Sequence, residues 1–297
     1  MSKLKYLLAT TRVPFLILTP ACVLLGVGTA IWTSQHVNTV YAVLALVGAI
    51  CAHISVNTLN EYFDFKSELD FHTTRTPFSG GSGTLPVQPD LARQVLALGL
   101  MTLAITGAIG LLFVWIRGWA LLPLGILGLV IIVVYTPWLA RFPFLCLIAP
   151  GLGFGPLMVM GTDFVLTGSY SWSAFVASLV PFFLVNDLLL LNQIPDVDAD
   201  QTVARRHYPI VIGRRRSSLI YGAFLLLAFL AIAVGVSFGL LPLTSLLALI
   251  MLFLALPTAI GAYRHATNME KLMPHLTLNV IISIATPVLT AVGLFLA

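Results

Sequence analysis

Long apolar runs separated by short polar breaks dominate the chain. Runs near the length a helix needs to cross a bilayer, about 20 residues, fall at roughly 13–33, 40–62, 92–115, 118–138, 143–165, 172–193, 217–237, 240–262 and 274–296. The breaks carry turn or boundary residues, as at Arg117-Gly118 and Gly168-Ser169. Pro and Gly also fall inside runs, as at Pro150-Gly151 and Pro156. Membrane helices tolerate them where neighbours satisfy the freed backbone groups. The pattern predicts an all-α polytopic membrane protein with nine transmembrane helices in one bundle. It forms a single transmembrane domain over residues 1–297, without a soluble domain or low-complexity tract.

Composition agrees. The chain is 59% hydrophobic and 9% charged, with a mean hydropathy of +1.02, against roughly a quarter charged in soluble domains. The basic start runs into an apolar segment long enough to span, with no small-residue cleavage site, so no removable signal is expected. Cys22, Cys51 and Cys146 all lie in apolar runs and show no metal or disulfide spacing. With the N-terminus in the cytoplasm, 14 of the 15 Lys and Arg fall on the cytoplasmic side and only Arg117 outside. An odd number of spans then puts the C-terminus outside. The net charge of +4 reports this bias and needs no nucleic-acid partner. No protein partner is inferred.

The polar exceptions carry the chemistry. Of 11 Asp and Glu, seven sit in two short windows: Glu61, Asp64, Glu68 and Asp70 in the first, Asp196, Asp198 and Asp200 in the second. Both windows fall on the cytoplasmic side, in segments of about 63–91 and 194–216 that follow the second and sixth runs. His53, Asn57, Asn60, Asp64 and Glu68 are spaced 4, 3, 4 and 4, which makes one polar stripe on a helix. Such a stripe must face the bundle interior or a wet cavity. Asn192, Asp196 and Asp200 repeat the spacing of Asn60, Asp64 and Glu68, while Asp198 points away. Pro195 is expected to kink or end the sixth helix. Carboxylates this close repel unless a cation joins them, and Asn and Asp oxygens suit Mg²⁺, which takes one or two carboxylates plus substrate phosphates. The expected ligand set is Asn60, Asp64, Glu68, Asp70, Asn192, Asp196 and Asp200, around two Mg²⁺ on one diphosphate. Asn60, Asp64, Asp196 and Asp200 lead it. Glu61 alone fits a solvated helix end. His53 is as well explained by a satisfied interior contact, and Asp187 by a functional contact or a satisfied pair.

Basic loops follow both windows. Arg75, Lys66, Arg205 and Arg206 are the expected grips on diphosphate oxygens. The Ser79–Gly83 run is either an anion cradle or a flexible linker.

These windows resemble the UbiA superfamily of intramembrane prenyltransferases. The matching stretches are NTLNEYFDFKSELD with RTPFSGGSG, and NQIPDVDAD with RRHYPIVIG. Within the superfamily the first window is most similar to the branch that prenylates 1,4-dihydroxy-2-naphthoate in menaquinone synthesis. The segment Tyr135 to Arg141 resembles a further element near the substrate. Glu68 stands where many members carry Asp or Gly, and Ala204-Arg205 where Gly-Lys is common. The resemblance implies Mg²⁺-dependent ionisation of a polyprenyl diphosphate and attack by an electron-rich aromatic acceptor. Asn57, Tyr135 and Arg141 would lie near acceptor or prenyl group. Tyr62, Phe63, Phe65, Tyr135 and Trp138 are candidates to shield the cationic centre, though core packing is the more common role for each. Other acceptors, including 4-hydroxybenzoate, homogentisate, a tetrapyrrole or a glycerol-phosphate lipid, share this chemistry. A phospholipid phosphotransferase would need a D-G-x-x-A-R string, which is absent. An ion-coupled transporter is the competing class, because intramembrane acids often mark ion paths.

Overall fold

The computed structural model of the protein describes residues 3–203 and 205–297; of the Ala204-Arg205 pair, Ala204 lies outside the described residues. Among those residues, eight helices are long and apolar enough to cross a membrane, and a ninth apolar helix is shorter. In chain order they are α1 (Val13–Ser34), α2 (Thr39–Lys66), α3 (Pro89–Arg117), α4 (Trp119–Val134), α5 (Pro143–Thr167), α6 (Trp172–Val203), α7 (Arg214–Ser237), α8 (Leu243–His265) and α9 (Met269–Phe295). The nine apolar runs of the sequence therefore each become a helix.

Local chemistry sets the boundaries. Asn38 caps α2, its side chain accepting from Tyr41 N, and Ser171 and Asn268 cap α6 and α9 in the same way. At 28 residues, α2 is about 42 Å long against a hydrocarbon core of about 30 Å. Its last turns, which hold the first window, therefore project beyond the lipid. Helix α4 stops at Val134 rather than near 138, because Pro137 disfavours helix in the residue before it.

Pro195 does not end α6. The helix continues to Asp200, keeping Asn192, Asp196 and Asp200 on one face. The Arg214 guanidinium donates to Ile194 O at 3.2 Å and to Asp198 at 3.0 Å, bracing this turn from α7. Helix α6 is the most buried of the spans and packs against α1, α5, α7 and α9. Against α5 the approach is so close that a Cβ at Gly151 would lie 2.2 Å from Phe182 O. Asn186 Oδ1 takes the Gly151 N–H at 2.6 Å there. Exposed Trp115, Trp119, Tyr170 and Trp172 ring the end of the bundle opposite the windows, where amphipathic rings sit at a membrane interface.

Candidate active site

The two windows meet at the polar end of one cavity. It has a volume of about 450 Å³ and runs down among α2, α3, α4, α5 and α6. His53, Asn57, Asn60 and Asp64 all line it from α2, as the 4, 3, 4 spacing requires. Asp70, Asn192, Asp196, Asp200, Arg205 and Tyr135 line it too.

Glu68 does not. The expected stripe stops because α2 ends at Lys66, and Glu68 takes a left-handed backbone at φ 63, exposed to solvent. The reversal instead turns Asp70 inward, where it is 5% exposed. Asp198 points out and pairs with Arg214, as its spacing demanded.

Arg205 joins the windows. Its guanidinium donates to Asp64 Oδ1 and, at 3.2 Å, to Asp200 Oδ1. Burial pulls this guanidinium down, but the Asp64 and Asp200 carboxylates outweigh it and hold it above its ordinary value. His207 Nε2 meets the other Asp200 oxygen at 2.9 Å, so both oxygens of Asp200 are engaged. The remaining predicted grips lie elsewhere: Lys66 is exposed, 5.8 Å from the Tyr62 ring, while Arg75 and Arg206 are exposed and do not line the cavity, and neither does Arg141, expected near the acceptor or prenyl group. Arg206 contributes its backbone N–H to Ala140 O, tying this loop to the segment after α4.

Glu61 corrects the sequence reading. It is 1% exposed rather than solvated. Its carboxylate accepts from Arg12 at 3.0 Å, from Ser82 N at 2.7 Å and from Ser82 Oγ at 2.6 Å. The same guanidinium donates to Asn60 Oδ1 at 2.8 Å. The glycine-rich run is thus strapped over the cavity rather than a free linker. Gly81 has φ +68, and a Cβ there would lie 3.0 Å from Glu61 Oε1, so this approach suits glycine.

Ser79–Gly81 of the glycine-rich run also line the cavity, and so do Arg12, His207 and Gln193, which sequence reasoning did not place in the site. Arg12 carries a signal, being the basic residue at the start of the first run, but by position alone it bears only on topology. Of the candidate aromatics, only Tyr135 lines the cavity. Tyr62 and Phe65 pack against Leu85, Leu91 and Val95, and Trp138 is exposed. His53 is bonded to Thr19 at 2.8 Å. Asp187 is fully buried and neither carboxyl oxygen has a partner among the described residues.

A test of the metal reading lies in the unpartnered oxygens. Asp70 Oδ2, Asn192 Oδ1 and Asp196 Oδ1 are buried without a hydrogen-bond partner among the described residues, a costly state for an acceptor. All three belong to residues lining the cavity, and all are hard oxygen donors that fit Mg²⁺. Among the described residues no three His, Cys, Asp or Glu side chains form a metal-holding group by themselves.

The chain is 26% identical over 189 residues to 1,4-dihydroxy-2-naphthoate octaprenyltransferase of Bacillus subtilis, covering 62% of this chain and 59% of that one. It is 28% identical over 207 residues to digeranylgeranylglyceryl phosphate synthase of Pyrococcus abyssi, covering 66% of each. It thus spans less than two thirds of these curated relatives. Its fold matches a UbiA homologue from Aeropyrum pernix K1 with a TM-score of 0.73, 18% identity and coverage of 95% of this chain and 97% of that one. A UbiA homologue from Archaeoglobus fulgidus, solved with DMAPP and Mg²⁺, gives 0.60, 14%, 98% and 99%. Residues 19–281, about nine-tenths of the sequence, match the UbiA prenyltransferase family, so the chain belongs to that family.

Proposed function

We propose that this protein transfers a polyprenyl group from a prenyl diphosphate to an aromatic acceptor, 1,4-dihydroxy-2-naphthoate, with Mg²⁺ as cofactor. The observation that carries it is the convergence of both acidic windows on the polar end of one otherwise apolar cavity. An amphiphile with a charged head and a long apolar tail fits that division. The naphthoate assignment leans on the first window's pattern and on the Bacillus relative. The archaeal relative is named for a glycerol-phosphate lipid product, which keeps that acceptor as the second reading. The floor of the cavity at Phe113, Leu121 and Val165 is apolar, which counts against a transporter.

Asp70, Asn192 and Asp196 would hold the cation with their free oxygens, joined by Asp64 and Asn60 as the head group displaces Arg205 and Arg12 from them. Bound there, Mg²⁺ supplies Lewis-acid neutralisation of the departing diphosphate. Arg205 and Arg12, released, donate to the diphosphate oxygens. The allylic C–O bond breaks with its electron pair going to diphosphate. Tyr135 faces the cationic carbon while the apolar walls exclude water. A new C–C bond forms from the ring, and with a naphthoate acceptor the ring carboxylate leaves as carbon dioxide. By the Lys and Arg bias, the windows and the N-terminus face the cytoplasm and the C-terminus lies outside.

Radiolabelled polyprenyl diphosphate, incubated in membranes with naphthoate or 4-hydroxybenzoate, should give Mg²⁺-dependent product with the naphthoate alone. Product with neither acceptor, while the diphosphate binds, would overturn the acceptor assignment.

The metal demand should also depend on pH. Burial, with the Asp64 and Glu61 carboxylates beside it, pushes Asp70 up to about 7 against the pull of Arg12 and Arg75. Below that pH the cation must displace a proton. Half-maximal Mg²⁺ should therefore rise by up to about tenfold per unit as pH falls below 7, and Asp70→Asn should flatten that slope. In chelator the sign reverses for stability. A raised carboxyl pKa favours the fold at low pH, and this support is lost as pH rises from about 4 through 7. Melting curves against pH, with and without Mg²⁺, would show both trends.

A further inference from the structure

A polar patch interrupts the cavity wall, and the metal and diphosphate contacts leave it unused. Cys146 lies near the start of α5, Gln193 is on α6 and Tyr135 directly follows α4, and all three line the cavity. Cys146 is 3% exposed and Gln193 is 9% exposed. Thr136, the residue after Tyr135, accepts from Asn60 Nδ2 at 3.1 Å, so the patch lies against the first acidic window. One turn further from the windows, the lining is apolar on each of the three helices, at Ile132, Ala149 and Leu189.

The hydrogen bonding of this patch is poor. Gln193 Nε2 donates to Cys146 Sγ at 3.2 Å, and the Tyr135 hydroxyl lies 3.8 Å from the same sulfur. Among the described residues neither group has another side-chain partner. A thiol sulfur is a weak acceptor, and a buried donor without a good partner is costly. Elsewhere in the bundle the same group types find oxygen. The Tyr221 hydroxyl donates to Asn279 Oδ1 at 3.2 Å, and Asn279 Nδ2 donates to Asp187 O at 3.3 Å. Donors left on sulfur beside an open cavity suit a ligand oxygen that arrives and leaves. A ring hydroxyl is the group that matches. It accepts from the amide N–H and donates to the amide carbonyl, whereas a phosphate or carboxylate anion only accepts. The ring itself then lies on the apolar turn formed by Ile132, Ala149 and Leu189.

We infer that the Gln193 amide and the Tyr135 hydroxyl form the subsite that reads a ring hydroxyl of the acceptor, with Cys146 holding both donors until the acceptor arrives. This role rests on the proposed transfer to an aromatic acceptor, and it adds the residues that select that acceptor. The Tyr135 ring serves the cationic carbon, so an acceptor held at the Tyr135 hydroxyl lies beside the carbon it attacks. A site built to hydrogen-bond a substrate hydroxyl rejects an analogue lacking it far more strongly than an apolar pocket rejects a change of size.

The test uses the full chain in membranes at saturating polyprenyl diphosphate and Mg²⁺. KM and kcat are measured for 1,4-dihydroxy-2-naphthoate. The two monohydroxy naphthoates and 2-naphthoate are scored as competitive inhibitors, which separates binding from the effect of a missing hydroxyl on ring reactivity. In wild type the monohydroxy compound that keeps the hydroxyl being read should inhibit at least about tenfold more tightly than 2-naphthoate. Gln193→Leu should shrink that ratio below about threefold and raise the naphthoate KM at least about tenfold, with the KM for the diphosphate within about threefold of wild type. The Cys146 variants give opposite signs. Serine offers oxygen, a stronger acceptor than sulfur, so Cys146→Ser should occupy both donors and raise the naphthoate KM. Cys146→Ala should free the donors and lower it. A sulfur with only a structural role predicts the reverse order, because serine keeps the bonds that alanine loses. An unchanged ratio and KM in Gln193→Leu, or the reverse order at Cys146, would overturn the subsite and leave the transfer reaction standing. If the naphthoate is not prenylated while 4-hydroxybenzoate is, with the same dependence on Gln193 and the same order at Cys146, the subsite stands and the naphthoate assignment fails.

Discussion

Asp196→Ala is expected to lower prenyl transfer by at least about a thousandfold while leaving the protein folded. Losing one preorganised electrostatic contact to a developing charge costs about a hundred- to a thousandfold. Here the lost group would be both a metal ligand and part of the site's charge. Asp196 is half-buried on the cavity wall, faces Ser79 and Gly80 of the strapped loop, and keeps one oxygen without a partner. It takes part in no ion pair among the described residues, unlike Asp64 and Asp200. Its removal therefore strands no cation, and in chelator the variant should melt at or above the wild-type temperature. Asp64→Ala lacks this separation, because it also leaves Arg205 short of a partner. Initial rates across a Mg²⁺ titration, beside melting curves, make the comparison. Activity within tenfold of wild type at saturating Mg²⁺ would remove Asp196 from the ligand set.

The bilayer made the helices legible. A span must satisfy every backbone group internally, so each apolar run had little choice but helix, and the nine runs appear where the pattern puts them. The windows were legible for a related reason. The 4, 3, 4 spacing of His53, Asn57, Asn60 and Asp64 is helix geometry, and α2 persists through it. The same logic failed at Glu68, one turn on, because beyond the lipid nothing enforces helix. Ser67 ends α2 and Glu68 turns left-handed without Gly or Pro as a warning. Asp70 then occupies the place that periodicity gave to Glu68. Pro195 misled in the opposite sense, since a proline that would end a free helix sits in one braced from α7 by Arg214.

What the sequence hid was long-range pairing. Arg12 meets Asn60 and Glu61 across 48 and 49 positions, and Arg205 meets Asp64 across 141. No local pattern encodes either. The charge bias that sorted Arg12, Arg75 and Arg206 to one side of the membrane says nothing about which of them enters the cavity. Burial decides that, and it admits Arg12 and Arg205 while leaving Arg75 and Arg206 outside.

Arg205→Ala should separate the structural work of these charges from their chemical work. In the metal-free protein this guanidinium is the ion-pair link between α2 and the end of α6 among the described residues. Asp64 and Asp200 are 7% and 3% exposed, so its loss leaves two buried carboxylates facing one another. Removing one partner of such a pair costs about 3–5 kcal/mol, and in chelator the variant should melt several degrees below wild type. Mg²⁺ should then raise its melting temperature more than it raises that of wild type. The cation relieves repulsion in the variant, whereas in wild type it must first displace a guanidinium. Arg205→Lys should recover the charge but not the two-pronged grip, landing between the two in stability. Prenyl transfer by Arg205→Ala should stay low even where Mg²⁺ has restored the fold, because the diphosphate has lost a donor. A variant that melts with wild type in chelator would show that the bridge contributes nothing to the fold. Full activity at saturating Mg²⁺ would instead leave Arg205 as a strut between the windows and pass the diphosphate to Arg12.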